Sequence, residues 1–167
     1  MRISLLDFAN YLHQNSAFLH SFQIARRRQR DPSPDHQSQM YISCGEIESA
    51  RLAFDELLQP SVFLWNAMIR AYAWNGPFGH AVELYQRMLD IGIEPNKFTF
   101  PFVLKACSAL EALADGILIH EHAKKVGLEL DVFVSTALLD MYLKCGCLED
   151  AHEVLCKMPQ KDVAWNA

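Results

Sequence analysis

No run of apolar residues in this chain approaches the roughly 20 needed to span a bilayer as a helix, so no membrane-spanning helix and no membrane partner are expected. Cysteine is sparse: five residues without a paired framework, which points to a reducing compartment rather than a disulfide scaffold. Basic residues do not dominate; 15 Lys and Arg stand against 20 Asp and Glu, for a formal charge of −5. There is no GxSxG, no Gly-rich phosphate loop and no strand pattern for either to follow, so nucleophilic catalysis and nucleotide hydrolysis have no support. Cys145, Cys147, His152 and Cys156 lie close in sequence, but no second CxxC and no paired His arm completes a tetrahedral set. Cys44 and Cys145 read instead as small buried residues at a helix break. In His120-Glu121-His122 the second His is not at i+4, so it is not a metalloprotease motif; it reads as a partly exposed helix segment. No catalytic residue, metal ligand or cofactor is expected, and the chain is not expected to be an enzyme.

What the sequence does contain is a repeat. Over residues 62–162, a shift of 35 lays Phe63 on Phe98 and then on Phe133, Ala71 on Ala106, and Gly92 on Gly127. A shift of 70 lays Tyr72 on Tyr142, Gly76 on Gly146, Ala81 on Ala151 and Met88 on Met158. A fixed period of about 20–50 residues marks a stack of like units. Within residues 62–96, Trp65, Met68, Ile69 and Tyr72 form one helical stripe, and Ala81, Leu84, Tyr85, Met88 and Leu89 form a second. Asn75-Gly76-Pro77 separates them, and Gly92 and Pro95 close the unit. Each unit is thus a helix hairpin that cannot bury both stripes alone, and its neighbours must cover it. The next unit, 97–131, lacks the Asn-Gly break; Ser108-Ala109-Leu110 is expected to serve. The third, 132–162, is shorter and breaks at Cys145-Gly146. Residues 163–167 begin a fourth and stop inside it, so a fragment of a longer protein or a truncated gene product is expected.

Residues 31–61 read as a broken copy of the short unit. A shift of 101 lays Met40-Tyr41 on Met141-Tyr142 and Cys44-Gly45 on Cys145-Gly146. Pro32 and Pro34 spoil its first helix, which is expected to be short and to start near Asp35. Residues 1–30 differ again, with Arg2, Arg26, Arg27, Arg28 and Arg30 against one acid, Asp7. Arg-rich, acid-poor and loosely amphipathic, this segment has the composition of an organellar presequence; the other reading is a degenerate helical leader packed on the first repeat.

The segments WNAMIRAYAWNG, FTFPFVLKACSAL, DVFVSTALLDMYLKCG and CKMPQKD carry a family likeness. The pattern resembles the pentatricopeptide repeat, and specifically its PLS subclass, in which P, L and S motifs alternate; the units of 35, 35 and 31 residues follow that order. The tetratricopeptide repeat has a period of about 34 and does not alternate in this way. The resemblance implies an all-α fold, an α-solenoid of helix-turn-helix repeats wound as a right-handed superhelix. It further implies recognition of single-stranded RNA, one base per repeat, in organellar RNA modification such as cytidine-to-uridine editing. The organelle would be the mitochondrion, or alternatively the chloroplast. The zinc-deaminase signature HxE…PCxxC does not occur, so a separate deaminase-bearing editing partner would supply the chemistry. A protein–protein scaffold is the alternative reading.

By the same resemblance the base-reading residues are the fifth and last of each unit, with a wedge at the second. These are Asn66 and Asn96 with Phe63, Pro101 and Asp131 with Phe98, and Thr136 and Asp162 with Phe133. The broken unit offers Asp35 and Ser61, and the truncated one Asn166. The Asn pair would favour a pyrimidine and the Thr–Asp pair a guanine; Pro101 would read weakly. Composition alone would place the three Phe side chains in the core, Asn66 as stabilising its helix start, and Asp131 and Asp162 as helix caps. Phosphate contacts supply much of RNA affinity, and beyond residue 30 the chain is net acidic. Arg70, Lys97, Lys105, Lys124, Lys125 and Lys144 are the cations available, so weak RNA binding is expected of the isolated chain.

Overall fold

The structure is a computed structural model and describes residues 35–158. Residues 1–34 and 159–167 lie outside it, and with them the presequence and the truncated fourth unit. Eight helices follow in order: α1 (His36–Ser43), α2 (Ile47–Asp55), α3 (Val62–Asn75), α4 (Gly79–Asp90), α5 (Thr99–Leu110), α6 (Leu113–Lys125), α7 (Val132–Lys144) and α8 (Leu148–Lys157). They pair as four antiparallel hairpins, and among the described residues there is no strand.

The elements start and stop where the local chemistry directs. The Ser61 hydroxyl accepts the Leu64 N–H at 3.2 Å and opens α3. Asp131 Oδ1 accepts the Phe133 N–H at 2.9 Å and opens α7; such caps satisfy amides that the helix itself leaves free. α3 ends on Gly76 and α7 is followed by Gly146, both in the left-handed region at φ +71° and +77°. The middle hairpin corrects the expectation for its break. Ser108, Ala109 and Leu110 remain helical, and the reversal falls on Glu111, a non-glycine residue at φ +53°. Its neighbour makes the same closing bond as in the glycine version: Ala112 N–H to Cys107 O and Cys147 N–H to Tyr142 O, both 2.9 Å. The short α1 is held at its start by Asp35, whose Oδ2 accepts the Ser61 N–H at 3.2 Å.

Successive first helices pack side by side: α1 on α3, α3 on α5, α5 on α7. The backbones of the second helices do not approach one another; long side chains bridge them. Arg51 of α2 reaches Glu83 of α4 at 2.9 Å, Arg87 of α4 reaches Asp55 of α2, and Tyr85 of α4 reaches His122 of α6 at 2.7 Å. Trp65, Met68, Ile69 and Tyr72 of α3 are buried against Leu84, Tyr85 and Met88 of α4 and against Phe100, Val103 and Leu104 of α5. Helix α7 continues this core with Val134, Leu138 and Met141. Burial at about 25 cal/mol per Å² of apolar surface is the main stabilising term, and every hairpin draws it from a neighbour.

Candidate functional site

The polar positions picked out by the repeat register fall at the starts of the first helices. Asn66, one turn into α3, and Asn96, just before α5, are both half-buried and touch: Asn66 Nδ2 donates to Asn96 Oδ1 at 3.2 Å. Asn96 Oδ1 also accepts the Phe98 N–H at 2.9 Å, so one oxygen closes the turn and ties the two ends of the unit. Thr99 joins them from below, its hydroxyl donating to Asn66 Oδ1 at 2.7 Å. Asn66 therefore does not serve its own helix start; it is bonded across the unit. Asp35 and Ser61 meet in the equivalent place in the broken unit, with the carboxylate buried.

The other positions are not joined in this way. Pro101 is half-buried and brings no polar side chain, while the Asp131 carboxylate is engaged in capping α7. Thr136 is exposed and returns its hydroxyl proton to Val132 O at 2.6 Å. Asp162 and Asn166 lie outside the described residues.

Phe63, Phe98 and Phe133 do not enter the core. They are 67%, 54% and 63% exposed, one at the head of each of three adjacent first helices. Water-facing phenylalanine at a repeated step runs against simple burial, and the packed cores of the same helices show that apolar space was available to others. Sequence reasoning missed a further exposed aromatic, Trp74, at the far end of α3. Lys105 Nζ stands 4.2 Å from the centre of its ring, and Arg70 lies 5.9 Å from the ring centre of Phe102. The signal was present: the 35-residue shift lays Arg70 on Lys105, and Trp74 follows Arg70 at i+4 on the same helical face. A cleft of about 350 Å³ between α1, α2 and α3 is lined by Arg70, Trp74, Ile42 and Ile47. Lys97 lies 5.4 Å from the ring centre of Phe98. Lys124 and Lys144 are paired with Glu121 and Asp140 at 2.6 and 2.8 Å.

The helical segment His120-Glu121-His122 is partly exposed, as expected, with Glu121 open to solvent and His122 half-buried, but His120 itself is buried: its Nδ1 lies 2.8 Å from the Tyr142 hydroxyl and its Nε2 3.4 Å from Glu129. A neutral ring accepts the Tyr142 proton and points its own N–H at the carboxylate. Burial, seconded by Lys124, lowers its pKa. His122 is half-buried against the Tyr85 hydroxyl, and its pKa is lowered by burial and by Lys125. The cysteines at the helix breaks are not uniformly buried: Cys44 is exposed and Cys145 half-buried, because the left-handed glycine after each, rather than the thiol, makes the turn.

Known proteins carry the same pattern. Residues 60–109 match the PPR repeat family and residues 133–163 the PPR repeat. A pentatricopeptide repeat-containing protein of Arabidopsis thaliana is 49% identical over 133 residues, which are 78% of this chain and 20% of that protein. A second from the same organism, whose name includes "chloroplastic", is 43% identical over 66% of this chain and 15% of its own length. The chain thus spans about a fifth or less of these curated relatives. The crystal structure of the pentatricopeptide repeat protein PPR10 from maize aligns with a TM-score of 0.61 at 28% identity, covering 75% of this chain and 18% of that one. PPR10 in complex with an 18-nt psaJ RNA element aligns at 0.62 and 18% identity, over 94% of this chain and 25% of that one, a likeness of fold.

Proposed function

The chain is a pentatricopeptide repeat protein, and on that premise we propose that it binds single-stranded RNA along the row of first helices. One observation carries this reading: Phe63 and Phe98 stand exposed at the heads of adjacent first helices and flank, along the chain, the bonded pair Asn66 and Asn96. Aromatic faces stack on any base, and the polar pair between them meets a base edge. Phe133 and Thr136, both exposed, hold the corresponding positions in the next readable unit; Asp162 lies outside the described residues. In this reading Asn66 and Asn96 select a pyrimidine, Thr136 and Asp162 a guanine, and the Pro101–Asp131 unit between them reads weakly. Arg70, Lys97 and Lys105 supply the positive charge on that side.

The P, L, S order of the units supports a place in organellar RNA modification such as cytidine-to-uridine editing, with the deaminase on another chain. The name of the chloroplastic relative supports an organelle. The chain itself then contributes recognition rather than catalysis.

The test is fluorescence anisotropy of the full chain with short single-stranded RNAs at low ionic strength, where phosphate contacts are strongest. The expected result is weak binding with a pyrimidine–x–guanine preference that Asn66→Ala and Thr136→Ala each abolish. A preference that survives both substitutions contradicts the proposal. So does capture of peptides with no RNA signal, which would favour a scaffold working through the exposed Leu52, Leu118 and Leu155 of the second helices.

A further inference from the structure

In the three units of residues 62–162 the third step is a core position, and in one of them it is polar. Leu64 and Val134 hold that step in the units on either side and are fully buried; Thr99 holds it between them and is equally buried. Apolar surroundings penalise an unpaired hydroxyl, so its partners identify what it is for. The Asn96 N–H donates to Thr99 Oγ1 at 3.0 Å. Thr99 has one proton to give, and the nearer acceptor is Asn66 Oδ1 at 2.7 Å, against 3.4 Å for Asn96 Oδ1. Asn66 Nδ2 then donates to Asn96 Oδ1, which also takes the Phe98 N–H.

Donors and acceptors run one way round this ring. Both amide oxygens are engaged within the protein, and the unengaged groups are N–H: the second Nδ2 proton of Asn66 and both of Asn96. We propose that Thr99 is a positioning residue that sets the base preference of the Asn66–Asn96 pair, by holding the Asn66 amide by its oxygen so that the pair meets a base chiefly with donors. Cytosine presents two adjacent acceptors on its pairing edge, O2 and N3. Uracil places an N–H between two carbonyls, and that N–H finds no acceptor here. The ring therefore selects cytosine over uracil within the pyrimidines. Without the Thr99 proton, the bond from Asn66 Nδ2 to Asn96 Oδ1 alone holds the Asn66 amide, and its oxygen turns outward more readily to accept the uracil N–H. The inference rests on the RNA-binding reading and adds to it a residue that touches no base.

The experiment compares wild type, Thr99→Val and Thr99→Ser, each as the full chain, on RNAs that differ only by cytidine or uridine at one position. Valine keeps the volume and the β-branching that Val134 shows the step accepts, and thermal melting checks that each variant is folded. Wild type and Thr99→Ser are expected to favour cytidine several-fold. In Thr99→Val the ratio is expected to fall to about one, through tighter uridine binding. An unchanged ratio in a folded Thr99→Val overturns the proposal and leaves RNA binding intact. No binding to any RNA by wild type overturns the functional reading on which the proposal stands. The ring is then judged by nuclear magnetic resonance of the Asn side chains: Thr99→Val must shift the Asn66 amide signals, and unmoved signals overturn the ring itself.

Discussion

Asn66 Nδ2 lies 3.2 Å from Asn96 Oδ1, a bond that joins the first helix of a unit to the last residue of the same unit, just before the next first helix. Asp35 and the Ser61 amide make a bond of the same kind, 26 residues apart, one unit earlier. At these two pairs, positions proposed for base recognition also tie the start of one first helix to the start of the next. A residue there has two duties, and each can be measured apart from the other.

Asp131 separates them most simply. Its carboxylate accepts the Phe133 N–H at 2.9 Å and, more loosely, the Val134 N–H at 3.4 Å. Asp131→Ala should lower stability by about 1 kcal/mol, the usual value of a helix cap, read as a shifted urea midpoint with an unchanged slope. Asp131→Asn should recover most of it.

Glu111 carries a backbone penalty. At φ +53° an L-residue is disfavoured by about 1–2 kcal/mol, and glycine gives back part of the relief through the entropy of its unfolded chain. Glu111→Gly should raise stability by about 0.5–1 kcal/mol in the same urea experiment. A lower midpoint would show that the Glu111 side chain contributes more than the bonds at the turn reveal.

The exposed phenylalanines should be dispensable for folding and needed for binding. Phe63→Ala, Phe98→Ala and Phe133→Ala should each alter stability by no more than about 0.5 kcal/mol, as for other surface substitutions. Each should weaken RNA binding by about 1–3 kcal/mol, the range for loss of one base–aromatic stack. Calorimetric melting and anisotropy on the same samples check both halves.

Acid should act first at the histidines. His120 and His122 have folded pKa values below the ordinary one, because burial penalises the charged ring. Below about pH 6.5 the unfolded chain takes up protons that the folded chain refuses, so stability falls with pH from there down to the folded values. Asp55 and Glu83 act lower. Burial opposes the charged form of Asp55, but Arg87 and Arg51 outweigh it, while Arg51 and His80 lower Glu83 directly. Their contribution is present above about pH 4 and is lost as pH falls through the lowered values. His120→Gln should make the upper limb of a melting-temperature profile shallower, leaving the share from His122, and keep the lower limb in place.

The hairpins, their order and most of the buried stripe were legible in the sequence, because Trp65, Met68, Ile69 and Tyr72 recur at a helical period and Gly76 and Gly146 mark the turns. The Glu111 turn was not, since nothing in Ser-Ala-Leu-Glu-Ala announces a left-handed residue closed by the bond from Ala112 N–H to Cys107 O. Burial of His120 follows from partners such as Tyr142, far along the chain. Even so, the 35-residue shift lays His120 on Tyr85, a core position, and that was a usable sign. The Thr99 ring was illegible for a different reason: its meaning lies in which oxygen each amide turns inward, and composition does not encode that.

Photocrosslinking tests the central claim most directly. The full chain is bound to a short single-stranded RNA carrying thiouridine, irradiated, digested, and the linked peptides mapped by mass spectrometry. The account predicts crosslinks at the heads of α3, α5 and α7, on the peptides bearing Phe63, Phe98 and Phe133. Crosslinks confined to the second helices, on peptides bearing Leu118 or Leu155, would contradict it.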